Sequence, residues 1–313
     1  MSTADGSILG TTKIADAGPA MRRWNLLIFS EGYRSSEMAL FAGDAQQFLN
    51  TLLATSPFDH LRTAINVYRV DVTSTDSGAD DPTSCGGTGV TARTYFDASF
   101  GNNGIRRLLE VNNLTVMSLA SVQVPQWHIA LVIVNSTVYG GSGGAVATFS
   151  KAPGAMETAL HEIGHTAFGL ADEYEYYAGC GIDVGHDHHP AYEPSQPNVT
   201  INSNRDTIKW RALIQPATPI PTTKNANCAL CDPQPSPVVI GTVGAFEGAD
   251  YYHCGCYRPE FNCRMRALKN PFCAVCQQVI MQKLTPFSGD SERRNVRQKL
   301  NVGRDDQTTF SRD

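Results

Sequence analysis

His161 and His165 stand four residues apart in the run His161-Glu162-Ile163-Gly164-His165. On an α-helix, residues i and i+4 lie on one face, one turn above the other. Two imidazoles so placed can reach a single Zn2+, for which neutral imidazole nitrogen is a good ligand. Glu162 projects beside them, where its carboxylate can take a proton from a water whose pKa the metal lowers to about 7. The chemistry this predicts is metal-assisted hydrolysis, with Glu162 as general base.

Two imidazoles do not complete a catalytic zinc, which takes three protein ligands and keeps a position for water. In the pattern HExxHxxGxxH a glycine turns the chain and a third His follows three residues later. Here Gly169 lies eight residues after His161, and the residue three further on is Asp172. Carboxylate oxygen is a competent zinc ligand, so Asp172 is the expected third one. The adjacent Glu173 is the rival; its other role would be to hold a histidine N–H from behind the metal.

The elements that must position these groups follow from periodicity. Met156, Ala159, Leu160, Ile163 and Ala167 give the histidine helix an apolar face, and Gly164 permits close packing. Arg23–Ser30 reads as a buried strand, Ala64–Val72 as an alternating one and His128–Asn135 as the clearest buried strand. A helix from Ser35 or Ser36 to about Leu53 presents Met38, Phe41, Ala45, Phe48, Leu49 and Leu52 on one side. Gly104 to about Ala120 reads as a helix interrupted near Asn112-Asn113, Arg205–Ile214 as a helix with Trp210 inward, and Phe272–Leu284 as a closing helix. Between Thr73 and Val90 the chain reads as a loop, with Asp76, Asp80 and Asp81 a weaker calcium candidate.

Composition bounds the class. The 313 residues are 42% hydrophobic, enough for a real core, and the net charge of −5 leaves no footprint for nucleic acid. No apolar run reaches the length of a membrane span. The N-terminal stretch shows no basic region followed by an apolar one, so no signal peptide is expected. Eight of the nine cysteines fall at or after Cys180. Cys228-x-x-Cys231 and Cys273-x-x-Cys276 could together form a four-cysteine structural zinc site, or could enter disulfides with Cys254, Cys256 and Cys263. His186, His188 and His189 form a further cluster, more simply a solvated loop than a metal site.

The block HEIGHTAFGLADEY resembles the HExGHxxxGLADEY of the bacterial IgA-specific metallopeptidase family. WNLLIFSEGY, INVYRVDVTSTDSGADDP, VNSTVYGGSGG, KWRALI, FEGADYY and YRPEFNCRMR resemble it too, so the likeness runs from about Gly10 to Leu284. It implies an α+β, metzincin-like zinc peptidase catalytic domain over residues 10–285, a mixed sheet crossed by the active-site helix. An N-terminal part to about 170 is followed by an irregular, cysteine-bearing half at 171–285, then a polar tail at 286–313. The resemblance makes Met265 the methionine of a tight turn beneath the zinc and Tyr257, or Tyr252, a candidate oxyanion stabiliser. It makes Ala145–Ser150 an edge strand lining the cleft, with Gly143 and Gly144 letting a peptide backbone approach.

The expected activity is a zinc endopeptidase with one catalytic Zn2+ and a protein or peptide substrate, without nucleic acid or membrane as partner. Immunoglobulin A is not carried over as the substrate. The family implies secretion while the sequence shows no export signal, so localisation stays open. An amide hydrolase of cell-wall or small substrates, or a zinc-binding module without proteolytic activity, are the other readings; casein hydrolysis with and without chelator separates them.

Overall fold

A computed structural model describes residues 3–177 and 179–289. Contacts divide the chain into two compact units, one running through Ala167 and including Leu284–Gly289, the other spanning Phe168–Lys283.

The first unit is built on a six-stranded mixed sheet, order β1-β3-β2-β4-β6-β5. In β2 (Trp24–Glu31) and β4 (Ile129–Val134) every residue is buried. Burial along the whole strand, around the apolar runs Leu26–Phe29 and Ile129–Val134, suits central parallel strands covered on both faces. The two pair in parallel, Leu26 opposite Ile129 through Glu31 opposite Val134. β3 (Ile65–Ser74) lies parallel on the other side of β2. The crossover from β2 to β3 carries α1 (Met38–Ala54), which buries Phe41, Ala45, Phe48, Leu49 and Leu52. On one sheet face Leu27, Phe29, Val132 and Val134 join Phe96, Phe100, Leu109 and Leu119 in a single apolar cluster.

Three elements depart from expectation. β1 (Gly6–Ala15) is an antiparallel edge strand on β3, mostly half-exposed, so its sequence lacks a clear buried face. The helix expected from Gly104 begins only at Asn113: α2 spans Asn113–Gln123, and the Asn112 side chain caps it by accepting the Thr115 N–H at 3.1 Å. Asn103 and Gly104, with φ of 51° and 75°, break the chain at the start of the preceding stretch, and Leu108 and Glu110 beyond them are bridged to Gly141 and Ser99. The strand expected at the sheet edge, β6 (Ala147–Ser150), is an interior one, paired with β4 on one side and with β5 (Gly141–Ser142) on the other. The glycine run before it folds back to become β5, itself bridged at Gly141 to Leu108. The loop carboxylates Asp76, Asp80 and Asp81 are taken up by Arg93, the Ala92 N–H and Thr88.

The second unit contains one hairpin, β7 (Phe246–Ala249) with β8 (Tyr252–Arg258), and much of the rest of it is loop. Arg205–Ile214 is a set of turns ending in a short 3-10 helix at Arg211–Leu213, not a helix throughout. Asn202 and Asn204 side chains accept backbone N–H groups two residues on, at 2.9 Å each, an alternative to helical bonding. Trp210 is buried as expected, its indole N–H donating to the Gly244 carbonyl at 2.6 Å. The closing helix forms over Ala274–Leu284. Of the expected tail, Ser288 is buried and Phe287 packs edge-on against His128, while residues beyond 289 lie outside the described ones. Among the described residues no helix is long and apolar enough to cross a membrane.

Glu31 ends β2 inside the first unit. Its carboxyl accepts the N–H groups of Phe96 and Ala98, yet burial pushes its pKa up to about 7, with Thr94, Phe96 and Ala98 pulling the other way. A carboxyl raised in the folded state binds more protons there than when unfolded. Its share of stability is therefore complete below about pH 4.5 and is lost as pH rises through about 7. Glu31→Gln should flatten that part of the Tm-against-pH curve between about pH 5 and 7; parallel curves for the variant and wild type would refute it.

Candidate active site

The helix that carries the histidines, α3, spans Ala155–Phe168. Gly154, with φ of 87°, turns the chain into it, and its carbonyl accepts the Thr158 N–H at 3.0 Å. Gly169, with φ of 65°, ends it in the left-handed conformation that glycine adopts without cost. Ala159, Leu160 and Ile163 are buried, and so are His161 and Glu162, while His165 is half-buried. The two imidazoles converge: their Nε2 atoms are 3.0 Å apart and the rings stand nearly perpendicular, at 87°. Two nitrogens bound to one tetrahedral zinc at 2.0–2.1 Å would lie about 3.3 Å apart. The pair thus fits the donor geometry of a divalent metal with little adjustment.

The glycine run lies against this face of α3. A Cβ on Gly143 would come within 2.6 Å of His165 Cβ and 3.1 Å of Glu162 Oε2. One on Gly141 would come within 2.9 Å of Glu162 Oε1, whereas one on Gly144 would meet nothing. The absence of a side chain is therefore demanded at Gly141 and Gly143. Nothing in the sequence singles out Gly141, because every position in a glycine-rich run looks alike. Gly144 is held differently, its N–H donating to the Thr166 hydroxyl at 3.0 Å.

In the second unit Asp172 is buried, and its Oδ2 accepts two phenol hydroxyls, Tyr174 at 2.8 Å and Tyr251 at 2.5 Å. Burial, then the Asp172 charge, push the Tyr251 pKa far above its ordinary value, so the proton stays on the phenol. Tyr251 reaches this carboxylate from the two-residue turn of the β7–β8 hairpin, where Asp250 and Tyr251 have φ of 54° and 72°. A bulky residue there is held at a cost of about 1–3 kcal/mol and signals a site that constrains it. The Asp250 N–H donates to the Asp172 carbonyl at 3.0 Å, locking turn and carboxylate segment together. No sequence spacing points to Tyr174 or Tyr251; two-residue turns are sought at Asn-Gly or Asp-Gly, not Asp-Tyr.

Glu173 faces other partners. Its Oε1 accepts the Asn198 amide at 2.9 Å and lies 3.3 Å from Cys276 Sγ. Asn198, in a glycosylation-like triplet, is fully buried and committed to that bond and to the Ala171 carbonyl. Met265 is buried, and its carbonyl accepts the Glu173 N–H at 2.8 Å. Tyr257 is buried on β8, with Glu247 and Ser203 engaging its hydroxyl; burial is the main cause of its raised pKa. Tyr252 packs against His189, with ring centroids 4.8 Å apart.

Of the two alternatives open for the CxxC pairs, the first pair, Cys228 and Cys231, enters disulfides. Cys228 is bonded to Cys254 and Cys231 to Cys180. The first CxxC is split between two partners that lie far off in sequence, which local spacing cannot reveal. Cys273 and Cys276 remain thiols, beside Cys263. The histidine loop is also divided. His189 meets Asp250 at 3.1 Å and His186 meets Asp183 at 3.2 Å, while the sulfurs nearest His188 belong to the Cys228–Cys254 disulfide.

Convergent imidazoles one helical turn apart, with a carboxylate between them in sequence, define the class: a candidate metal-dependent hydrolase. A model of the family described as IgA Peptidase M64 matches residues 12–231 and 223–284. The chain belongs to that family, and is a peptidase that hydrolyses peptide bonds. No curated protein matches it in sequence.

Gly143→Ala should lower kcat/KM on a protein substrate by about tenfold or more, because the new methyl displaces His165 or Glu162 from its working position. Gly43→Ala, on the open side of α1, should leave it unchanged. Equal activity of the two variants would contradict the packing argument.

Proposed function

We propose that the chain is a zinc-dependent endopeptidase in which His161, His165 and Asp172 hold one Zn2+ and Glu162 is the general base. The observation that carries this is the 3.0 Å approach of the two imidazole nitrogens on α3. Asp172 follows His165 by seven residues, beyond the helix end and the turn at Gly169. Of the two acids there, Glu173 is engaged by Asn198 and the cysteines, which favours Asp172 as the third ligand. Two phenol donors on one oxygen orient such a carboxylate, as outer partners of metal ligands do.

When bound, zinc supplies Lewis acidity, lowering the pKa of water and polarising the scissile carbonyl. Glu162 accepts the proton of the attacking water on its carboxylate and delivers it to the leaving amine. Gly141 and Gly143 leave room for that carboxylate beside the imidazoles. The substrate class is protein or peptide, with no particular protein assigned. The two disulfides of the second unit support the oxidising, exported setting that the resemblance implies.

Casein hydrolysis tests this. Chelation should abolish turnover and zinc restore it, and Glu162→Ala should keep its metal while losing about 10²–10⁴-fold in kcat. Tyr251→Phe, with one donor to Asp172 removed, should lose about tenfold in metal affinity or activity. Full turnover by Glu162→Ala, or insensitivity to chelator, would overturn the proposal.

A further inference from the structure

We propose that Cys263, Cys273, Cys276 and Glu173 form a second metal site, structural in role, that takes Zn2+ or another thiolate-preferring divalent ion. It lies wholly within the second unit and does not rest on the active-site reading.

The four side chains are all buried, and one ligand atom from each lies within 4.8 Å of all the others. They come from three separate stretches. Glu173 follows α3, Cys263 belongs to the NCRMR turn, and Cys273 and Cys276 flank the start of the closing helix at Ala274. Sulfurs on a tetrahedral zinc at 2.3 Å stand about 3.8 Å apart, and a carboxylate oxygen stands about 3.6 Å from each. Cys263 Sγ and Cys276 Sγ are 3.8 Å apart. Glu173 Oε1 is 3.3 Å from Cys276 Sγ and 3.9 Å from Cys273 Sγ. The sulfur separation is far beyond that of a disulfide.

The surroundings suit thiolates. The Cys273 N–H donates to Cys263 Sγ at 3.3 Å and the Cys276 N–H to Cys273 Sγ at 3.4 Å. The N-terminal end of a helix further favours negative sulfur. Asn198 holds Glu173 Oε1 at 2.9 Å, as outer partners of metal ligands do. Glu173 Oε2 is buried and, among the described residues, has no hydrogen-bond partner. A buried carboxylate beside three thiols is costly alone and favourable next to a cation. Four other cysteines of this unit are paired as disulfides, while these three, like the buried Cys256 elsewhere in the unit, remain thiols.

The site would act on its neighbour. Asp172 faces Tyr174 and Tyr251 while Glu173, next along the chain, faces the sulfurs. The Glu173 N–H also holds the Met265 carbonyl, two residues from Cys263. An ion among these ligands would pin both the Asp172 segment and the Met265 turn.

The test uses the full chain with His161→Ala and His165→Ala, which removes the imidazole pair. Purified from zinc-supplemented cells, it should still carry one metal per chain, and Co2+ exchanged in should give a near-ultraviolet thiolate charge-transfer band. Adding Cys273→Ser should abolish both. If that variant fails to fold, the cobalt band in the folded double-His protein decides. A folded double-His protein without metal or band, or one in which mass spectrometry finds a disulfide among the three cysteines, would overturn the site. Loss of activity in the double-His protein bears on the imidazole pair alone, so the two readings fail separately.

Discussion

The structure depends on one local constraint: two imidazole nitrogens held 3.0 Å apart on a buried turn of helix. That approach suits a shared cation. Helix geometry puts the rings on one face, but three further features hold them there. Gly169 ends the helix after His165, apolar residues of α3 bury its opposite side, and the glycine run packs against Glu162 and His165 without a side chain to intrude. The central strands β2 and β4, buried along their whole length, provide the rigid sheet on which the first unit is built.

The second unit solves a different problem, the burial of acids. Asp172 and Glu173 are adjacent and both buried, yet they face different partners. Asp172 accepts hydrogen bonds from two phenol hydroxyls, one on a tyrosine that sits in a left-handed turn. Glu173 takes an asparagine amide and approaches thiols. Glu175, a little further on, is buried between Arg258 and Arg266 at 3.5 and 3.2 Å. Each carboxylate thus has its own kind of partner, which is how a run of acids after a glycine turn can be held away from water.

What the sequence disclosed follows from what is local. The HExxH spacing, the apolar runs within β2 and β4 and the apolar stripe of α1 are properties of contiguous residues. The family was legible in HEIGHTAFGLADEY for the same reason. β1 was hidden because an edge strand need not bury either face. The stretch before α2 misled because apolar residues at Ile105, Leu108 and Leu109 imitate a helix, whereas Leu108 and Glu110 are bridged to Gly141 and Ser99. The CxxC pairs left metal and disulfides open because cysteine partners are chosen in three dimensions: Cys228 reaches Cys254, and Cys276 meets Cys263. Tyr251 lies in FEGADYY, but nothing there marked its role, which depends on a hairpin turn made without glycine.

The central claim is that one zinc ion is shared by two histidines of α3 and the aspartate beyond its end. Anomalous diffraction from zinc-loaded crystals tests it most directly. The account predicts a peak bonded to His161 Nε2, His165 Nε2 and an Asp172 carboxylate oxygen at about 2.0–2.2 Å. A peak between the imidazoles whose third protein ligand is another residue, or no peak there from a protein that still cleaves casein, would contradict it.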